Sequence, residues 1–514
     1  MKPIKKHNTP IYNYLRKYAE ENINIFHMPG HKLGSGVPQE LAQDLLQLDL
    51  TEVEGTDNLH YPEGIIQEAQ ELAARAFGAD RTFFLVNGST CGVQAAIMSV
   101  CARGQKLIVG RDAHKAVASG LILSGAEPVF VYPEFNEEFG ISAEIKPEAI
   151  ENALCANPDA AAVLITRPNY YGICSDIEKI CSLVHSYGKI LIVDEAHGAH
   201  FAFNDRLPQS ALKHGADICI QSAHKTLPAL TQGAYLHVKD ERVNTDRLAS
   251  TLSMLQTSSP SYIIMSYLDI ARELMEEEGG TKLDKLIDTN ARFREELEKT
   301  NVYKVLTGGS VGIKTIHDPT RLVVNIRKLG MSGYEADRIL RDKYRTQIEM
   351  ADNENLVMIT TVSDSRDNLE RLLQALKELS LAQSLDKEEA GRGAHPGILE
   401  SHNLREILRE KYKKTAEHQS AGIDMENRGV HSENLFARKP WEAYYAQKEQ
   451  VSMEESCSRI CADIITPYPP GIPLLYPGEI ITASCIKYIT DILDAGGKVN
   501  GIGYNKSIRV IRNS

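Results

Sequence analysis

The sequence predicts an α/β protein: a large domain built on a mostly parallel sheet with helices on both faces, a smaller α/β domain after it, and an additional C-terminal domain. Three observations predict this. From about residue 65 to 240, helical patterns alternate with six short apolar runs: 82–86, 106–109, 128–132, 161–166, 190–194 and 218–221. Such runs are apolar throughout rather than at alternate positions, as expected of strands buried on both faces. Finally, 514 residues are about three times a typical domain, and the pattern breaks near residues 280, 380 and 436.

The segments follow in order. Residues 1–45 are predicted to form an N-terminal arm and 46–280 the large domain. Residues 263–300 read as long helical segments, within and beyond that boundary. The smaller domain, 281–381, is predicted from a strand at 321–326, a helix after Ser332, strands near 346–350 and 356–361, and a helix near 367–379. Residues 382–435 are rich in Glu, Lys, Arg, Ser, His and Gly and read as a linker or insertion, with one short helix possible at 404–413. Apolar content returns after Trp441, and 436–514 are assigned to the C-terminal domain, where the prolines of 466–479 fix an extended, rigid path.

Composition narrows the function. Apolar residues make up 42% and charged residues 25%, a normal globular balance. The formal charge of -12, from 57 basic and 69 acidic side chains, opposes nucleic acid and anionic membranes and suits a cationic small molecule better. Nine cysteines, an odd number with no C-x-x-C and several within apolar runs, predict reduced, buried thiols in a cytosolic protein. The N-terminus lacks the apolar stretch of a signal peptide, and no run reaches the ~18 apolar residues of a membrane span.

Four strand ends carry the chemistry. Ser222-Ala-His-Lys225 follows the run 218–221 and places Lys225 at the carboxyl edge of the sheet, where such sheets bind ligands. Desolvation there lowers an amine's pKa and makes it nucleophilic, although a lone strand-end lysine more often points into water. Asp194 ends the run 190–194, where a carboxylate can keep a protonated ring nitrogen cationic, ligate a metal or serve a structural role. His197 and His200 follow it and admit a metal reading, but no third ligand has a recognisable spacing, so no metal is predicted. Asn87-Gly-Ser-Thr90 joins a strand to a helix, an anion site or an ordinary N-cap. His114, after the run 106–109, is placed to stack on a flat ring or to lie on the surface.

Together with Phe26-His-Met-Pro-Gly-His-Lys32, Thr56-Asp-Asn-Leu-His60, Asp194-Glu-Ala-His197, Tyr468-Pro-Pro-Gly-Ile-Pro473 and Pro477-Gly-Glu479, these elements resemble the pyridoxal-phosphate enzymes of fold type I. More narrowly, the chain resembles the bacterial ornithine/lysine/arginine decarboxylases in their short form. The resemblance implies an aspartate-aminotransferase-like large domain, pyridoxal 5'-phosphate as cofactor, and decarboxylation of a basic L-amino acid. Lys225 would form the internal aldimine, Asp194 pair with the pyridine nitrogen and His114 stack on the ring. Ser89, Thr90, Ser222 and His224 would hold the phosphate, with His197 beside the ring. Lys225, His224 or a water would return the proton to Cα. Ser258 matches a segment that reaches a neighbouring subunit's phosphate, which makes a homodimer or higher homo-oligomer with shared sites the expected unit.

The resemblance implies arginine, giving agmatine and CO2, as the expected substrate, with lysine and ornithine as the alternatives. Glu52, Glu54, Asp57 and Glu479 are candidates to meet the substrate's distal cation, or equally to serve as solvated surface acids. Another fold-type-I activity, an aminotransferase or lyase, is the rival, with Arg321 or Arg327 nominated for the α-carboxylate. A cytoplasmic enzyme is expected, with neither nucleic acid nor membrane as partner. The chemistry serves both polyamine biosynthesis and acid-stress proton consumption.

Overall fold

The computed structural model describes residues 9–43, 45–311, 316–389 and 436–512. Its centre is a seven-stranded sheet: β1 (Arg81–Leu85), β2 (Lys106–Gly110), β3 (Glu127–Val131), β4 (Ala162–Thr166), β5 (Ile190–Asp194), β6 (Ile218–Gln221) and β7 (Ala234–Val238). The spatial order is β1-β7-β6-β5-β4-β2-β3. Only β7 runs antiparallel, against β6 on one side and β1 on the other.

Side chains of consecutive strand residues point to opposite faces. Ile108, Val163, Leu191 and Val193 therefore enter one core, while Leu107, Val109, Leu164 and Ile192 enter the other. Helices Ile65–Phe77, Pro147–Ala156, Ile177–Ser186 and Tyr262–Leu274 cover the first face; Gly88–Val100, Lys115–Ser124 and Thr245–Leu255 cover the second. Two covered faces explain why the strands read as unbroken apolar runs.

A second sheet joins Lys304–Val305, Arg321–Asn325, Asn355–Ile359 and Met350–Ala351 in that order, all antiparallel. Helices Gly280–Glu298, Gly333–Tyr344 and Arg366–Glu389 pack on it, and the last continues beyond residue 382, where the linker was expected to begin. The possible helix at 404–413 lies outside the described residues. Strand Asn24–Phe26 pairs with Thr346–Ile348, so the N-terminal segment belongs structurally with this second body.

Residues 440–511 form a third body with its own core around Ile465, Leu475, Cys485, Ile489 and Ile508. Its seam with the large domain is specific: Tyr476 inserts into the second core, and the Arg103 guanidinium lies 3.8 Å from the Trp441 ring centroid. All nine cysteines are unpaired; seven are buried, whereas Cys155 and Cys457 are exposed, against the expectation of buried thiols throughout. Among the described residues no helix is long and apolar enough to cross a membrane.

Candidate active site

Because β1, β2, β4, β5 and β6 point the same way, the loops that follow them meet along one edge. Asp194 ends β5 in register with Thr166 of β4 and Ile220 of β6, two residues before Ser222. Ser222 leads into a single helical turn, Ala223–Thr226, which carries Lys225. That turn is locked from outside: Gly30 N–H donates to the His224 carbonyl at 2.7 Å. A Cβ on Gly30 would lie 2.5 Å from the Leu227 carbonyl oxygen, so only glycine fits there.

The Lys225 Nζ lies 3.0 Å from His197 Nε2. Burial holds its pKa down, opposed by Asp194 and Glu349 and assisted by Arg321. Asp194 is 4% exposed, and its Oδ1 accepts the Ala196 N–H at 3.1 Å. Burial raises its pKa while Lys225 lowers it, so this carboxylate gains from a cationic partner.

On the other side, the Ser222 hydroxyl donates to Ser89 Oγ at 2.7 Å. Ser89 and Thr90 open helix Gly88–Val100, whose N-cap residue Asn87 makes no side-chain cap, so its first N–H groups keep their donors for a ligand. Gly88 turns the chain into that helix at φ +76°. His224 Nδ1 donates to the Gly233 carbonyl at 3.0 Å, which leaves Nε2 as its ligand-facing nitrogen. Burial pushes this ring down to about 4; a bound phosphate dianion favours its protonated form, the state in which Nε2 donates.

His114 caps helix Lys115–Ser124, its Nδ1 accepting the Ala116 N–H at 3.2 Å. Burial, then Lys225, pushes its pKa down to about 3, so the ring is neutral. Gly471 of the C-terminal body covers it: a Cβ there would come 3.2 Å from the ring. The cover is fastened by Arg111, whose Nη1 and Nη2 donate to the Pro473 and Leu474 carbonyls at 2.6 and 2.9 Å.

Beneath these groups a buried network fixes the strand ends. Glu195 accepts from Arg167 Nη1 (3.2 Å), Ser210 Oγ (2.7 Å), Ala211 N–H (2.9 Å) and Gln221 Nε2 (2.7 Å). Gln221 in turn accepts from His237 Nε2 at 3.2 Å, tying β5, β6 and β7 together behind Asp194 and Ser222.

The remaining sequence candidates fall as follows. Glu479 is 2% exposed and faces Arg111 and the Tyr476 N–H rather than a ligand. The Asp57 carboxylate accepts five backbone N–H groups, from Asn58, Glu63, Gly64, Ile66 and Gln67, and so closes its own loop at the start of a helix. Glu52 accepts from Asn58, and Glu54 is exposed. Arg327 pairs with Glu354, whereas Arg321 reaches His197. His200 is engaged by Asp318 and Thr320, and no metal-binding cluster occurs among the described residues. Ser258 is exposed in the turn before helix Tyr262–Leu274; that turn touches Asn87 through the Thr257 N–H at 3.4 Å.

Two site residues escaped the sequence reading. Glu349 accepts from Tyr170 Oη at 2.5 Å and from the Met28 N–H at 3.0 Å, and its charge acts on both Lys225 and His224. Tyr170 packs edge-on against His197, ring centroids 4.9 Å apart. Tyr170 follows β4 at the same sheet edge, so the strand-end rule applied to that strand points to it. Glu349, between two short strands of the other body, carries no local signal.

These residues fit pyridoxal 5'-phosphate: an amine, a buried carboxylate in need of a cation, an uncapped helix start beside two hydroxyls, and a neutral flat ring. The fold and site define a fold-type-I pyridoxal-phosphate enzyme. The comparisons with known proteins narrow the class. The Orn/Lys/Arg decarboxylase major-domain model matches residues 9–368, and the C-terminal-domain model of that family matches 427–505. Arginine decarboxylase from Bacillus subtilis is 36% identical over 97% of this chain and 96% of its own. Arginine decarboxylase from Halalkalibacterium halodurans is 37% identical over the same shares. Among solved structures, the Francisella novicida lysine decarboxylase superposes with a TM-score of 0.73 at 20% identity, over 98% of this chain and 81% of its own. A Bacillus subtilis ureidoglycine–glyoxylate aminotransferase shares the fold, with a TM-score of 0.57 at 13% identity, over 75% of this chain and 98% of its own. The chain belongs to the Orn/Lys/Arg decarboxylase family, whose members are pyridoxal-phosphate-dependent amino-acid decarboxylases.

Proposed function

We propose that this enzyme converts L-arginine to agmatine and CO2. The observation that carries the choice of arginine is the 36–37% identity, over nearly the whole chain, to relatives named arginine decarboxylase. Bound pyridoxal 5'-phosphate supplies an electron sink for the pair left behind when CO2 departs.

The chain's own residues do the rest. Lys225 is the amine that holds the cofactor and, with His224 or a water, returns a proton to Cα. Asp194 keeps the ring nitrogen protonated, which its need for a cationic partner supports. Ser89, Thr90, Ser222 and His224 take the phosphate, supported by the Ser222–Ser89 contact and the uncapped helix start. His114 stacks on the ring under the cover of Gly471, and His197 lies beside it. Ser258, exposed in the turn before helix Tyr262–Leu274, serves a second subunit's phosphate, making a homodimer the minimal unit. The chain divides into an arm (1–45), a large domain (46–280), a small domain (from 281, with its last helix reaching Glu389), a linker or insertion up to 435, and a C-terminal domain (436–514). Nine unpaired cysteines support a cytoplasmic setting, where agmatine enters polyamine biosynthesis.

The test is release of amine and CO2 from L-arginine, L-lysine and L-ornithine, each supplied with cofactor. Agmatine from arginine alone is expected. Cadaverine or putrescine as the main product overturns the substrate, and no CO2 from any of the three overturns the reaction.

A further inference from the structure

Three nitrogen-bearing side chains stand in line at the site. Arg321 Nη2 lies 3.0 Å from His197 Nδ1, and His197 Nε2 lies 3.0 Å from Lys225 Nζ. Arg321 is 1% and His197 5% exposed, so water does not compete for these contacts. A guanidinium has donors only and keeps its charge in a protein, so His197 Nδ1 is the acceptor. An imidazole that accepts at Nδ1 carries its single proton on Nε2. That proton faces Lys225 Nζ and is satisfied only by a lone pair, which an amine has and an ammonium lacks.

We propose that Arg321 is a positioning residue that fixes His197 as its Nε2–H tautomer and, through it, holds Lys225 as the free amine that takes up the cofactor aldehyde. The proposal rests on Lys225 being the cofactor-bearing lysine, and adds what keeps that lysine uncharged.

The surroundings agree. Asp194 and Glu349 favour an ammonium at Lys225 and Arg321 opposes it, while His114 and His224 face the lysine as rings that burial keeps neutral. Burial, Lys225, Arg321, His114 and His224 all disfavour a charged His197, and Tyr170 packs against its ring. On its own far side Arg321 feels Asp318, Tyr170 and Glu349, yet its Nε and Nη1 are buried without a hydrogen-bond partner. Two carboxylates thus pull Lys225 toward the charged form, and the hydrogen-bond chain supplies a directional opposition that burial lacks.

The experiment follows cofactor uptake rather than turnover. Full-length protein is freed of cofactor, mixed with pyridoxal 5'-phosphate from about pH 6 to about pH 10, and the loading rate read from absorbance. In Arg321→Met, His197 is released and Lys225 is free to protonate. Loading is expected to fall about tenfold near neutral pH and to regain the wild-type rate at the alkaline end, as for an amine whose pKa has risen by about one unit. His197→Phe, which keeps the Arg321 charge and loses the donor, shifts the profile in the same direction; Arg321→Lys, which keeps a cationic donor, stays near wild type. A superimposable Arg321→Met profile, or one slowed equally at every pH, overturns the proposal. A shift in Arg321→Met but not in His197→Phe assigns the effect to charge through space and overturns the relay. If Arg321→Met does not fold, the other two variants decide. Failure of the wild type itself to load refutes instead the reading of Lys225.

Discussion

Asp112, two residues beyond β2, carries a pH dependence that a single substitution should remove. The side chain is 7% exposed, and its Oδ1 has no hydrogen-bond partner. Burial, supported by the nearby Asp194 charge, outweighs a backbone N–H and Arg111 and pushes the carboxyl up to about 7 from 3.8. A carboxyl raised on folding favours the protonated state. Its contribution to stability is complete below about pH 4 and is lost as pH rises through about 7. At ~1.4 kcal/mol per tenfold change, that displacement corresponds to about 4 kcal/mol lost on full ionisation. Asparagine keeps the shape and removes the titration. Asp112→Asn is therefore expected to match wild type at or below about pH 4 and to melt about 3–5 °C higher near pH 8, for a chain this long. Thermal melts at several pH values measure it. An Asp112→Asn effect of the same size at both pH values, or a lower melting temperature at high pH, refutes the reasoning.

Other substitutions test the rest of the site. Lys225→Ala should lose CO2 release by about a thousandfold or more, with loss of the cofactor's protein-bound absorbance; retained turnover removes Lys225 from its role. Ser222→Ala, losing the hydroxyl that meets Ser89, should weaken cofactor binding about tenfold, near 1.4 kcal/mol, in an equilibrium titration. Glu195→Ala leaves Arg167, 1% exposed, without its carboxylate and should cost about 3–5 kcal/mol in urea unfolding; a loss under about 1 kcal/mol shows that the network does not bear on stability. Glu479→Gln weakens the fastening of Arg111 and should lower the melting temperature with KM for arginine unchanged; a raised KM at unchanged stability would restore the substrate role.

The sequence revealed what is local. Strands β1 to β6 were readable because both faces of the sheet are covered, and Asp194, Ser222, Lys225 and His114 because each follows such a strand directly. Strand β7 was not anticipated: it enters from the Leu230–Gly233 turn and runs against its neighbours, so the alternation of strand and helix does not signal it. Glu349 and Tyr170 are 179 positions apart, and their hydrogen bond exists only once the second sheet meets the edge of the first. The acids at 52–57 misled because a carboxylate near a family motif reads the same whether it faces a ligand or caps its own loop. Only the five N–H groups on Asp57 separate the two.

The turn bearing Lys225 shows why the chain needs its distant segments. Gly30 pins the His224 carbonyl, and the same loop reaches the second body through Thr361 Oγ1, which donates to the Gly30 carbonyl at 2.8 Å, and through Lys32, buried 3.6 Å from Asp364. From the opposite side, Gly471 covers His114 and is held there by Arg111. The aminotransferase of this fold is matched over 98% of its own length by only 75% of this chain. The C-terminal body adds a wall over His114 and a cavity of about 120 Å³ bounded by Asp112, Tyr170, Pro470 and Tyr488. Tyr170 lines that cavity and packs on His197, a line of contact from the C-terminal wall to the ring beside Lys225 that does not pass through the sheet. Discrimination among basic amino acids is therefore expected to move with residues of this seam, while the strand ends that carry Asp194 and Lys225 set the reaction common to all of them.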